Sequence, residues 1–341
     1  MKKVLIVSDR YKEIYPPLLV KQICEMVDLV APPQRSDVAQ AAPQLLEDVE
    51  IVMSGWGAPR LDRDFLDAAP RLEAFFYAAG STQNVITSEA TERGIICSSA
   101  IHFNSIPVAE YTFAQIILCL KHVYAATSIY RQDRCKSYPT ARIPGAYGST
   151  VGLIGFGNIA RLLVSLLSHI DVKILVCDPA ISSHEIDEFG AEKVSLEEIF
   201  SQSDVVSLHA PQQPSTDGII TEKLLRSMKQ GASFINTSRG SLVREDDLVE
   251  VLRARPDLYA VLDVTNPEPP EPESALWFLP NLMLTPHISG SQGIERHRVG
   301  QSMIDELGRY LKGRPLHWPV QLPIEHAGLP GDQMLEMEKV R

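Results

Sequence analysis

Thr150–Asp178 reads TVGLIGFGNIARLLVSLLSHIDVKILVCD. It divides into an apolar strand (Val151 to Ile154), a glycine turn (Gly155-Phe156-Gly157-Asn158-Ile159-Ala160), a helix with apolar positions at Leu162, Leu163, Leu166 and Leu167, and a second strand (Lys173 to Cys177) closed by an acid. A strand, a GxGxxA turn, a helix and an acid at this distance make the dinucleotide-binding βαβ fingerprint. Gly155 makes the tight turn, and Gly157 lets a pyrophosphate approach the backbone. Asn158 and Ile159 open the helix, whose unpaired N–H groups and positive dipole end face that anion. Asp178 can accept both ribose hydroxyls of an adenosine and would repel a 2′-phosphate, and Pro179-Ala180-Ile181 brings no arginine. The stretch points to NAD rather than NADP. The plainer reading is an ordinary βα turn, glycine-rich for packing alone; the flanking strand, helix and acid weigh against it.

Around this stretch the chain runs to 341 residues, enough for two domains that each bury a core. A formal net charge of -11 argues against nucleic acid and against an anionic membrane, both of which attract basic surfaces. An anionic substrate must then be caught by a local positive group. The longest apolar runs, Ala74 to Ala79 and Ile116 to Leu120, are far short of the roughly 20 residues of a membrane span. Lys2 and Lys3 precede apolar residues, as in a signal peptide, but Ser8-Asp9-Arg10 ends that run at once, so Val4 to Val7 reads as a first β-strand. Cys24, Cys97, Cys119, Cys135 and Cys177 are odd in number and scattered, without CxxC spacing. They read as reduced thiols of a cytoplasmic protein, with neither a disulfide frame nor a metal site.

Before the glycine turn, short apolar runs (Val4 to Val7, Asp28 to Val30, Ile51 to Met53, Leu72 to Tyr77, Gly94 to Cys97) alternate with helical segments, which implies parallel strands and crossover helices. Asn104-Ser105-Ile106-Pro107 reads as a helix start, with a polar cap and a proline in the first turn, leading into the longest amphipathic helix. Lys136 to Gly148, with two prolines and two glycines, reads as an extended arm. Further strands are expected at Val205–Leu208, Ser233–Asn236, Ala260–Asp263 and Met283–Leu284, and a last helix from about Ser291 to Leu311. The expected fold is α/β, with two Rossmann-like or flavodoxin-like parallel-sheet domains and a cleft between them. Residues 1–103 and 291–341 would form a discontinuous substrate domain, and 104–290 the NAD-binding Rossmann domain.

In open parallel sheets, ligands bind beyond the carboxyl ends of the strands. Gly155, Gly157, Asp178, His209, Ser238-Arg239, Asp263 and His287 all fall just past such ends, so one sheet edge collects a phosphate site, a ribose acceptor, a cation, carboxylates and two imidazoles. Arg239 can hold a carboxylate or keto oxygen through paired N–H donors, or simply cap the sheet edge. His287, restrained by Pro286, can exchange a proton with a hydroxyl or carbonyl, although a satisfied core histidine is the commoner fate. That role needs a partner, for which Glu268 is the best placed, with Glu271 and Glu273 nearby.

The blocks NTSRG, DVTNPEP and TPHISGSQG, downstream of VGLIGFGNIA and preceded by FFYAAGSTQNV, RGIICSSA and PVAEYTF, resemble the signature blocks of the D-isomer-specific 2-hydroxyacid dehydrogenases, in family order over about Gly55 to Pro319. The resemblance implies that Arg239 binds substrate, Glu268 supports the histidine and His287 is the acid/base. Asp263 would contact the nicotinamide carboxamide, its plainer role being to cap the following turn. Thr237, in the NTSRG block, and His209 and Pro211, in the loop along the cofactor, join the cofactor-binding set. Backbone N–H groups of Ala79-Gly80-Ser81 would hold the substrate carboxylate. The family also implies a homodimer, with the long helix and the arm near Tyr138 to Tyr147 as the contact. This sequence departs from the pattern at Ala160, at Gln212-Gln213 and at Gly80-Ser81-Thr82.

The combined expectation is an NAD-dependent oxidoreductase that interconverts a small 2-hydroxy acid and a 2-oxo acid, with His287 moving the proton. The alternative on the same fold is an NAD(H)-responsive binding protein, similar to transcriptional corepressors. Trp56, Tyr77, His102 and Trp277 are candidates for the substrate pocket, each equally suited to packing.

Overall fold

A computed structural model describes residues 1–134 and 143–320. Cys135, most of the expected arm and the tail after Val320 lie outside them. The chain divides into two compact units: Met1–Pro107 with the described residues from Ser291 onward, and Val108–Gly290.

The first unit carries β1 (Lys3–Ile6), β2 (Asp28–Leu29), β3 (Ile51–Gly55), β4 (Ala74–Ala78) and β5 (Ile96–Ser99), in the order β2-β1-β3-β4-β5 with all pairings parallel. This is the flavodoxin-like order. Side chains alternate between the two faces of a strand, and here both faces are covered. Val4, Ile6, Ile51, Met53 and Phe76 pack on one side with Val299, Met303 and Leu307 of the last helix, Glu295–Leu311; Leu5, Val7, Val52, Phe75 and Tyr77 pack on the other. That double burial is why these strands read as unbroken apolar runs. Glu306, 1% exposed on the last helix, accepts from Ser98 Oγ (3.0 Å) and from the amides of His317 (3.0 Å) and Trp318 (2.9 Å), tying the segment after the helix to β5.

The second unit has seven parallel strands: β6 (Ser149–Ile154), β7 (Val172–Cys177), β8 (Glu192–Lys193), β9 (Val205–Leu208), β10 (Ser233–Asn236), β11 (Tyr259–Leu262) and β12 (Leu282–Leu284). Their order, β12-β11-β10-β9-β6-β7-β8, is the Rossmann order extended by one strand, with its topological switch between β6 and β9.

Three details depart from the sequence reading. The long helix spans Ile101–Leu120, so Pro107 lies inside it rather than in its first turn. The start is set upstream, where Ser99 Oγ accepts from Ile101 N (3.2 Å) and Ala100 O from Asn104 N (3.0 Å). Asn104, expected as the cap, instead accepts from the Ser291 amide (3.1 Å). The two units part just after Pro107, four residues beyond the expected boundary at 103. The edge strand Glu192–Lys193 is too short and polar to show as an apolar run. Among the described residues, Ile101–Leu120 is also the one helix long and apolar enough to cross a membrane (mean hydropathy 1.2), with 61% of that stretch buried in the protein.

Burial pushes two imidazoles down to about 4: His102, whose ring lies 4.5 Å from that of Trp318, and His209. Both are neutral in the folded chain at pH 7, whereas the unfolded chain protonates them near 6.5. The unfolded state therefore binds more protons, and stability falls as pH drops from about 6.5 to 4, by up to about 3 kcal/mol per histidine. Urea unfolding at stepped pH should give that slope, and His102→Phe should flatten it in part. A slope that variant leaves unchanged would remove His102 from the account.

Candidate active site

The dinucleotide turn is built at the switch between β6 and β9. Gly155 has φ +91°, and a Cβ there would stand 2.7 Å from Ala210 N, so neither the conformation nor the space admits a side chain. Gly157 differs: a Cβ there would meet nothing within 4 Å, leaving open the face that a pyrophosphate would approach. The helix it caps, Asn158–Leu167, has no side-chain cap and no acid in its first turn, so its positive end is offered outward.

Asp178 follows β7 and takes part in the turn itself. One carboxylate oxygen accepts from Phe156 N and the other from Ala180 N, each at 2.8 Å. Arg161, 3% exposed, holds the turn from the far side. Its Nε donates to Phe156 O (3.2 Å), its guanidinium pairs with Glu185 (2.5 Å) and lies over the rings of Phe156 (4.6 Å) and Phe189 (5.0 Å). No signal in the sequence marks Arg161, a charge on the inward face of an otherwise apolar helix. His209 bonds Ser207 Oγ through Nε2 (2.9 Å), while its buried Nδ1 has no partner among the described residues. A glycine with open space, an uncapped helix end and an acid at the next strand suit NAD.

Beyond β10, Asn236 shapes the Arg239 loop by accepting from Ser238 N (2.9 Å) and donating to Arg239 O (3.0 Å). The segment after β11 crosses directly over Gly240, whose added Cβ would overlap the Thr265 carbonyl and stand 2.6 Å from Asn266 N. That contact brings the chain leading to Glu268 against the loop that carries Arg239. Of the three acids near His287, the structure selects Glu268: its Oε1 lies 2.6 Å from His287 Nδ1, with the side chains 41% and 46% exposed. Glu271 instead uses its carbonyl to accept from Trp277 Nε1 (2.9 Å).

Two expected contacts stand differently. Asp263, 1% exposed, spends its carboxylate within the protein: Oδ1 accepts from Thr285 Oγ1 (2.6 Å) and Ile288 N (2.8 Å), and Oδ2 from Ser289 N (2.8 Å). It caps the His287 loop, the plainer of its two readings, rather than standing open to a nicotinamide carboxamide. Thr237, 5% exposed, similarly directs its hydroxyl to Thr112 Oγ1 (3.2 Å). Pro211 lies in the loop after β9, its carbonyl accepting from Thr216 Oγ1 (2.6 Å).

In the first unit, the N–H of Ala79 is used by Tyr77 O (2.9 Å) and the residue is fully buried, so Ala79 cannot donate to a substrate. Among the described residues no hydrogen bond uses the amides of Gly80 and Ser81, which remain the donors of that loop. Of the candidate pocket residues, Tyr77 is buried in the core, His102 packs on Trp318, Trp56 lies under the Arg296 guanidinium (5.8 Å) and Trp277 is 48% exposed. Among the described residues no cluster of His, Cys, Asp or Glu has the grouping of a metal site.

The second unit thus has the fold and turn of a dinucleotide-dependent oxidoreductase, with an imidazole–carboxylate pair at the same sheet edge. Residues 113–289 match the family model described as "D-isomer specific 2-hydroxyacid dehydrogenase, NAD binding domain". YoaD of Bacillus subtilis, which is named as a 2-hydroxyacid dehydrogenase, is 35% identical over 239 residues, covering 68% of this chain and 69% of YoaD. The D-3-phosphoglycerate dehydrogenase of Archaeoglobus fulgidus is 28% identical over 264 residues, 77% of this chain and 50% of that protein. This chain spans about half the length of the D-3-phosphoglycerate dehydrogenases it matches. The solved structure of the TT0316 protein of Thermus thermophilus is 26% identical and superposes with a TM-score of 0.76, covering 94% of this chain and all of that one. The chain belongs to the D-isomer specific 2-hydroxyacid dehydrogenase family, and NAD is the cofactor of its second unit.

Proposed function

We propose that the chain interconverts a 2-hydroxy acid and its 2-oxo acid. The observation that carries this reading is the His287–Glu268 pair at 2.6 Å, on the loops beyond β12 and β11, at the sheet edge that holds the dinucleotide turn. Bound NAD supplies the hydride acceptor or donor for substrate C2. Arg239 orients the carboxylate or the oxygen at C2 through its planar donors. Because Glu268 can only accept while ionised, His287 Nδ1 carries a proton, which leaves Nε2 to take the hydroxyl proton on oxidation or return it on reduction. By accepting from Nδ1, Glu268 fixes that tautomer and holds the ring in place. In the first unit, the Gly80 and Ser81 amides are the proposed donors to the substrate carboxylate.

The reading is tested by NADH oxidation against glyoxylate, hydroxypyruvate, pyruvate, phenylpyruvate and 2-oxoisocaproate, each repeated with NADPH. Turnover of one acid is the expected result. Silence across the panel, with NADH binding still detectable, would overturn it in favour of an NAD(H)-responsive binding protein. The same assay tests Asp178. Asp178→Ala removes a charge that opposes a 2′-phosphate, so the NADPH to NADH ratio of kcat/KM should rise by roughly 10-fold or more. Loss of the bonds to Phe156 N and Ala180 N will also weaken NADH itself, which is why the ratio is the readout. An unchanged ratio would remove the ribose role.

A homodimer and a cytoplasmic setting belong to the same proposal. Support comes from the exposure of Tyr130 (59%) and Tyr147 (86%), large aromatics on and after the helix Val123–Asp133, and from the free thiols of Cys24, Cys97, Cys119 and Cys177. Sedimentation at two concentrations decides the first.

A further inference from the structure

We infer that Tyr111, on the helix Ile101–Leu120, is a positioning residue for His287, acting through Thr285 and Asp263. The inference rests on the acid/base reading of His287 proposed above. The ionised carboxylate of Asp263 can only accept, so the 2.6 Å contact to Thr285 Oγ1 uses the single hydroxyl proton of Thr285. The same oxygen lies 3.0 Å from Tyr111 Oη and must therefore accept there, which makes Tyr111 the donor. A directed chain runs from the helix through Tyr111 and Thr285 to Asp263.

At its end the chain meets the backbone on both sides of His287. Asp263 accepts from the amides of Ile288 and Ser289 at 2.8 Å each, and the carbonyls of Asp263 and Thr285 share the His287 N–H at 3.0 Å. His287 itself has φ +53°, in the left-handed region that a residue with a side chain seldom adopts and holds only when its surroundings over-determine it. Asp263 and Ser289 are 1% and 3% exposed, so the anchor is dry, while the imidazole is exposed. Burial also raises the Tyr111 phenol above its ordinary range and keeps it a donor. Ring position is thus decided by the loop's anchor together with Glu268. Tyr111 touches neither the imidazole nor its carboxylate partner, so its effect must pass through the loop.

The test uses Tyr111→Phe, Thr285→Val and the double variant of the full chain, all close to isosteric. Each single change should lower kcat by roughly 10-fold, with the 2-oxoacid KM and the NADH Kd within about twofold, because a loosened acid/base is misplaced in the reaction and not in binding. The double variant should be no worse than the worse single, since both cut one chain. Thr285→Ser, which keeps the hydroxyl, should retain wild-type kcat. Independently of turnover, the His287 Cε1 resonance of 13C-histidine-labelled, ligand-free protein should broaden or split in both single variants. Unchanged kcat, multiplying losses, or a sharp and unmoved resonance would overturn the inference. A wild-type chain that turns over no 2-oxoacid would sink the proposed reaction alone, leaving the resonance to decide whether Tyr111 positions His287.

Discussion

His287→Ala should lower turnover by about 10²- to 10⁴-fold, the range that a positioned acid/base contributes, while the NADH Kd from fluorescence titration stays within about twofold. The asymmetry follows from where the residue sits. The dinucleotide turn is built from Gly155, Gly157, Asp178 and Arg161, none of which bonds to the His287 loop. Nor should the fold suffer. The side chains of His287 and Glu268 are 46% and 41% exposed, so their pair is solvent-screened, and its loss should move unfolding free energy by no more than about 1 kcal/mol. Glu268→Gln should fall between wild type and His287→Ala, because the amide can still meet Nδ1 but, able to donate as well as accept, no longer fixes the tautomer. Wild-type turnover in His287→Ala would remove the acid/base assignment, and a large loss of NADH binding would mean that the loop serves the cofactor instead.

The parts legible in the sequence are those whose cause is local. β4 (AFFYA) and β10 (SFIN) are buried on both faces and therefore spell continuous runs, and the turn at Gly155 declares itself because only glycine fits there. Parallel order and the fold class follow from such runs alternating with helices. The illegible parts depend on partners far away in sequence. Whether Asn104 or Ser99 starts the long helix is decided by Ser291, nearly two hundred residues on, which claims the Asn104 side chain. Asp263 at a strand end looks the same whether it faces a ligand or clamps a loop, and only the positions of the Ile288 and Ser289 amides settle that it clamps. Ala79 belongs to a plausible donor loop, yet a backbone bond to Tyr77 withdraws its N–H. Tyr111 and Arg161 do not stand out, since each is one of several polar residues on its helix and its role is set by partners elsewhere, Thr285 for Tyr111 and Glu185 for Arg161.

Two glycines of the second unit separate space needed by the protein from space left for a ligand, and they set the other large effect. Gly240→Ala should lower both stability and turnover. Its Cβ would overlap the Thr265 carbonyl and stand 2.6 Å from Asn266 N, and backbone cannot rotate aside as a flexible side-chain tip can. Relief is blocked from behind: Asn266 N is bonded to Glu245 (2.6 Å), Thr265 Oγ1 to Pro267 O (2.8 Å), and β11 is paired on both sides. The segment has to shift as a unit, carrying Glu268 away from His287 or Arg239 away from its loop. Overpacking of this kind costs about 3 kcal/mol, and a displacement near 1 Å at the reacting groups costs about 100-fold in kcat. Gly157→Ala meets nothing, so it should unfold like wild type in urea and yet bind NADH more weakly, the added methyl standing where the pyrophosphate approaches. Urea titration and NADH titration of the two variants should therefore give opposite patterns. If Gly240→Ala keeps wild-type stability and kcat, the close crossing over Gly240 does not hold Glu268 and Arg239 in place; if Gly157→Ala binds NADH normally, the pyrophosphate lies elsewhere.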